Sequence, residues 1–266
     1  MRNAERGAAF LIALGALALV AALAAAALSL STGPATRAAA AVEQAKAARA
    51  AEAAIHRLAA AMATDALRSA APLDGTVIST EFFGAKIDFA VQDVGGLIDM
   101  NAASGAVLAR LLVLTGASGG DATEIAEIWT RARADLEGRA GFLTPESVLT
   151  VLPERLQPIA HPALAHATVW SGRAAVDPWL ATAPALAAAA DLPLATAQGF
   201  VARRALEGRG AEPPPDADID GLAVSDGRVA RLTVRAETEG GGRAALSATI
   251  RVSDSLRAPV AILAWR

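Results

Sequence analysis

The chain has 266 residues with 24 basic and 27 acidic side chains, and its net charge of −3 excludes the strongly positive surface that nucleic-acid binding needs. An apolar share of 54% is enough to fill a core and excludes disorder of the whole chain. The absence of cysteine excludes disulfides, thiol nucleophiles and cysteine metal sites, while abundant alanine with only 4% aromatics points to a helix-rich fold cored by Leu, Val and Ile.

A short polar leader carrying Arg2 and Arg6 ends at Gly7, and residues 8–30 contain no charged side chain. As a helix at about 1.5 Å per residue this segment reaches roughly 35 Å, enough for a hydrocarbon core of about 30 Å. The two arginines hold the leader on the cytoplasmic side and send the rest of the chain outward. Three readings fit: a cleaved secretory signal, a plain transmembrane anchor, and a prepilin-type leader cut between Gly7 and Ala8 so that the apolar helix, with Phe10 and Ile12 near its start, stays on the mature protein. The apolar run exceeds the usual 7–15 residues of a signal peptide.

A helical pattern resumes after Ser31-Thr32-Gly33-Pro34, where proline is expected to kink or loosen the helix. It runs to about residue 71, with Ile55, Leu58 and Met62 on one face, and Pro72 and Gly75 end it. Residues 76–92 alternate around Gly84 as a β-hairpin. Helical signals occupy 101 to about 207, with Asn101 expected to cap the first helix. A loop rich in proline and aspartate at 208–220 precedes strands at 229–236, 244–252 and 259–265, the first two joined at Gly240-Gly241-Gly242. The order predicts an α+β fold: a long N-terminal helix and an antiparallel sheet with a large all-helical insertion between strands. The corresponding boundaries are 1–7 leader, 8–30 membrane part and 31–75 outer part of the long helix, 76–100 first strands, 101–210 insertion, and 211–266 linker and last strands.

Catalytic constellations are sparse, and no enzyme activity is expected. His161 and His166 flank Pro162 without a third ligand nearby, and His56 lies in the distant long helix. Ser104-Gly105 and Ser171-Gly172 lack the first glycine of a nucleophile elbow. Asp216, Asp218, Asp220 and Gly221 imitate the start of a calcium loop, but Gly227 stands where the closing glutamate belongs. The turns at Pro153-Glu154-Arg155 and Asp191-Leu192-Pro193 lack the glycine-rich amides with which helix–hairpin–helix units grip phosphate. A membrane-anchored periplasmic hydrolase or binding protein is the alternative reading, although no polar catalytic cluster supports it.

Several segments together resemble the minor pseudopilin K family of type II secretion systems. They are Arg6-Gly7, the run from Val91 through Gly95-Gly96-Leu97-Ile98-Asp99-Met100-Asn101 to Ala103, Phe142 to Leu152, Thr168 to Gly172, Val176-Asp177-Pro178, and the end Val260 to Arg266. The resemblance implies a pilin-like fold, cleavage by prepilin peptidase between Gly7 and Ala8, and a single-pass bacterial inner-membrane protein with its body in the periplasm. It further implies minor pseudopilins I and J as partners, contact with secreted substrate, and a place at the pseudopilus tip. Pilin-like relatives carry glutamate at the fifth mature position, which here is Ile12, and protein K is the member that lacks it. Some relatives bind calcium in the insertion. Here the matching stretch around Asp135 and Glu137 holds more arginine than oxygen ligands, so no cofactor is expected and calcium stays the alternative.

Overall fold

The computed structural model describes residues 2–64, 71–136, 141–214, 216–253 and 259–266, with side chains described at 17–24 and from 36 onward within those ranges, except at 209. Helix α1 spans Arg2–Ala63. It continues as one helix across Gly33 and Pro34. Thr64 folds its hydroxyl back toward the carbonyls of Ala60 and Ala61, both at 3.3 Å, at the last turn; the expected continuation toward residue 71 falls on 65–70, outside the described residues.

Five strands, β1 (Asp74–Phe82), β2 (Ala85–Asp93), β5 (Val229–Thr238), β6 (Arg243–Val252) and β7 (Val260–Trp265), form one antiparallel sheet in the order β1-β2-β5-β6-β7. The β1–β2 turn places Phe83 and Gly84 at φ of 52° and 69°, the left-handed geometry a two-residue hairpin turn requires. Strands β2 and β5 pair along their length, from Ala85 with Thr238 to Asp93 with Ala230. The chain between them folds separately into α2 (Gly105–Leu114), α3 (Gly119–Asp135), the single-turn α4 (Ser147–Thr150) and α5 (Gln157–Ala160), α6 (Ala183–Ala189) and α7 (Leu194–Glu207). This is the expected α+β architecture. Two short parallel strands, β3 (Ile98–Asp99) and β4 (Ala167–Thr168), are added to the helices.

Two hydrophobic cores result. In the first, Ala47, Ala50, Ala51, Ala54, Ile55, Leu58, Ala59 and Met62 form a stripe at steps of three and four along α1 and pack on Ile87, Val91, Leu232, Val234 and Ile250 of the sheet. Small side chains let the helix approach closely, and at Gly242 an added Cβ would meet the backbone at Glu43–Gln44, so only glycine lets the β5–β6 turn close over α1. The second core lies within the insertion around Trp129, Leu108, Leu111, Ile125, Leu186 and Phe200, and shares no buried residue with the first.

Candidate functional site

Apart from Arg6-Gly7, which lies near the start of α1, the segments that carry the resemblance are scattered in sequence but gather where the sheet joins the insertion. Chain leaving β2 is turned by Asp93, whose Oδ1 accepts hydrogen bonds from the Gly95 amide (2.8 Å) and the Ser225 hydroxyl (2.9 Å). The Ser225 amide in turn donates to Asp177 Oδ2 (2.8 Å), and Asp177 Oδ1 accepts from the Trp179 amide (2.9 Å). One short β-strand further on, Asp99 Oδ2 accepts from the Ser171 hydroxyl (2.9 Å) and the Gly172 amide (2.7 Å), while its Oδ1 takes the Asn101 amide (2.7 Å). Asp93, Asp99 and Asp177 are all buried. Carboxylates out of water are costly unless paired or hydrogen-bonded. Each bond to a charged acceptor contributes about 1.5–3 kcal/mol. These three carboxylates therefore fix loops rather than await a substrate.

Asn101 is part of this lock and not the expected helix cap. Its amide nitrogen donates to the carbonyls of Phe142 (3.0 Å) and Val169 (3.2 Å), and its Oδ1 accepts from the Phe142 amide (2.8 Å). Ser104 caps α2 instead, accepting from Val107 N. The reason is spacing: Asn101 lies too far before the first helical turn for its side chain to reach the free amides.

Two arginines bolt the layers together. Arg231 of β5 points to the face opposite α1 and donates to the carbonyls of Ala165 (3.3 Å) and Ala167 (2.6 Å) in the insertion. Burial, with Arg266 nearby, pushes its guanidinium down to about 10. Arg204 of α7 is 5% exposed, pairs with Asp74 of β1 at 3.5 Å and donates to the Pro178 carbonyl. Burial lowers its pKa while Asp74 and Asp177 raise it. At the chain end, Arg266 pairs with Glu146 of the insertion and Trp265 lies against His56 of α1, with ring centroids 5.6 Å apart. Sequence reasoning missed Ser225, Arg204 and Arg231. For Arg231 the available signal was a cation at a strand position whose alternation demanded a second covered face.

The other candidates stay apart. His166 faces Thr182 Oγ1 (3.0 Å) and its pKa is lowered by burial and then by Arg231, whereas His161 and His56 lie elsewhere. Thr182 Oγ1 accepts from Ala185 N as the cap of α6. Asp218 accepts from the Asp220 amide in a short turn. Among the described residues no three His, Asp or Glu side chains are grouped to hold a metal. Glu137 lies outside the described residues. Gly7, Ala8, Phe10 and Ile12 have helical backbone in α1, but their side chains lie outside the described residues. Among the described residues no helix is long and apolar enough to cross a membrane, and most side chains of 8–30 fall outside that set.

Asp93 yields a test by pH. Its carboxyl is pushed above the usual carboxylate range, first by burial and further by Asp177 and Asp226, against the hydrogen bonds from Gly95 and Ser225. The folded state therefore binds a proton more readily than the unfolded one, so this group adds stability as pH falls through its folded pKa toward about 3.8, and withdraws it as pH rises. Asp93→Asn keeps the Oδ1 acceptor and removes the buried charge. The variant is expected to melt at or above the wild-type Tm at pH 7.5, with the difference shrinking toward pH 5. A variant Tm well below wild type at pH 7.5 would show that the charge itself is needed.

No protein-family model matches the chain, and no curated protein matches it in sequence. Among solved structures it is similar to a chain of the GspK-GspI-GspJ complex of the type 2 secretion system from enterotoxigenic Escherichia coli, at 12% identity and a TM-score of 0.46, covering 82% of this chain and 98% of that one. A likeness at that level is one of chain path and carries no functional inference.

Proposed function

We propose that this chain is a minor pseudopilin of a type II secretion system, acting at the tip of the pseudopilus in protein secretion across the outer membrane. Prepilin peptidase cuts after Gly7, residues 8–30 anchor the mature chain in the bacterial inner membrane, and the body in the periplasm assembles with minor pseudopilins I and J and meets secreted substrate. The observation that carries this reading is the reach of α1. Among the described residues, α1 meets the sheet from Glu43–Gln44 and buries side chains against it from Ala47 onward, while Leu17, Leu19, Val20 and Leu23 are each more than 60% exposed on the same helix. A helix with apolar side chains on display and no cover from its own chain needs lipid or neighbouring helices around it. The sequence resemblance supplies the rest. Ile12 supports the tip position, because a buried acid inside the bilayer needs a partner and a subunit with no neighbour above has none.

The test is the mature amino terminus. Mass spectrometry of membrane-extracted protein is expected to find Ala8, and Gly7→Leu to leave the leader attached and reduce secretion to background. A mature terminus near Ala27 would identify an ordinary signal peptide and overturn the proposal.

A further inference from the structure

His166 closes the short 3₁₀ helix His161–His166, at the place where the insertion is strapped to the sheet. Arg231 of β5 reaches across it and donates to the carbonyls on both sides, Ala165 at 3.3 Å and Ala167 at 2.6 Å. The imidazole is partly buried against the start of α6, with Nδ1 3.0 Å from Thr182 Oγ1. That hydroxyl oxygen already accepts from Ala185 N as the cap of α6, so its own hydrogen is the one left for Nδ1. The ring is therefore held neutral, with its hydrogen on Nε2. Among the described residues the neighbours offer nothing to compensate a charge there. α5 and β4, packed on this segment, carry no charged residue, nor does α6, and Arg110, the one charged side chain of α2, pairs with Asp191. His161 is exposed at the far end of the segment. Arg231 is the charge that acts on the ring, and it has the same sign as an imidazolium. Beyond Arg231, Glu146 and Arg266 pair with each other.

We propose that His166 is an acid-operated latch: a proton taken up on Nδ1 releases the 161–167 segment from Arg231 and so loosens the insertion on the sheet. Protonation reverses the Thr182 contact. Nδ1 becomes a donor, and the hydroxyl hydrogen that it had accepted loses its partner beside the α6 cap. The proton also sets a second cation beside a guanidinium that is already buried and already opposed by Arg266, where like charges repel more strongly than in water. Parting the two cations relieves this, because the ring and the carbonyls that Arg231 holds belong to one short segment and move together. The bonds of Ser225 to Asp93 and Asp177 lie elsewhere on the junction and keep the insertion tethered. The direction in pH follows from the surroundings. Burial and then Arg231 lower the pKa of His166, so the released segment binds a proton more readily than the docked one; docking is firm above about 6.5 and weakens as pH falls below it. Asp93 acts with the opposite sign, so a whole-protein Tm mixes the two and a local readout is needed. The inference is independent of the secretion reading, since it concerns the body alone.

The experiment is hydrogen exchange by mass spectrometry on the full-length protein in detergent at pH 7.5 and pH 5.0, corrected for the pH dependence of intrinsic exchange. In the wild type, peptides covering 161–167 are expected to exchange about tenfold faster at pH 5.0, while those of α3 around Trp129 keep their protection. His166→Gln keeps an acceptor for the Thr182 hydroxyl and cannot be charged, so its exchange over 161–167 is expected to be equal at the two pH values. His166→Lys is expected to exchange quickly at both, and NMR titration of the wild type to place His166 below 6.5. Acid-quickened exchange that persists in His166→Gln, wild-type exchange over 161–167 that does not change with pH, or titration of His166 at or above 6.5 overturns the latch. Quickening spread evenly through α3 and the sheet would show global unfolding in its place and overturns the local release.

Discussion

Gly96→Val is expected to lower stability by about 3 kcal/mol, the upper end of the usual overpacking cost. A Cβ at Gly96 would lie 2.8 Å from the amide nitrogen of Ala181 and closer still to the Leu180 carbonyl. Those atoms are backbone, so no side-chain rotation relieves the clash. Movement of that segment also disturbs the Gln92 amide, which donates to the same Leu180 carbonyl at 2.9 Å, and the Asp177 amide, which donates to Gly95 O at 2.7 Å. For a chain of this size the change corresponds to a fall in Tm of roughly 6–12 °C. Gly120→Ala is the control, since nothing lies within 4 Å of the position its Cβ would take. It should melt as wild type or slightly higher. Equal Tm values for the two variants would mean that the insertion is not pressed against the sheet at Gly96.

Trp129→Ala is expected to cost about 3–5 kcal/mol. The indole is 1% exposed in α3, and its Nε1 donates to the Val148 carbonyl at 2.9 Å, joining α3 to α4. Truncation opens a cavity and leaves that buried carbonyl unpaired. Trp129→Phe retains most of the volume and loses the hydrogen bond, so a smaller cost of about 1–2 kcal/mol follows. The location of the damage is as informative as its size. Because the two cores share no buried residue, hydrogen exchange should quicken across 105–207 in Trp129→Ala while β5 and β6 stay protected. Uniform loss of protection would show instead that the bolts at Arg231, Arg204 and Arg266 make the two cores a single cooperative unit.

Much of the fold was legible in the residues. The stripe of Ile55, Leu58 and Met62, the alternation across Gly84 and the three late strands each follow from contacts between near neighbours, which set their own period. The junction was legible only in part. The run Gly95-Gly96-Leu97-Ile98-Asp99-Met100-Asn101 stood out, but its role did not: Asn101 suits a helix cap by residue type, and only the fold shows it reaching Phe142 and Val169 while Ser104 takes the cap. Nor could periodicity pair Asp93 with Ser225, 132 residues away, or show that one of its oxygens lacks a partner.

Local pattern and composition thus determined the long helix, the strands, the helical block and the absence of thiol chemistry, because propensity and burial period are written within a few residues of each position. The tertiary structure alone decided that β2 lies beside β5, that the helical block has its own core, and that three distant aspartates lock the two together. Hydrogen bonds between residues far apart in sequence leave no period behind. Their geometry exists only once the strands have paired and water has been excluded from the carboxylates between them.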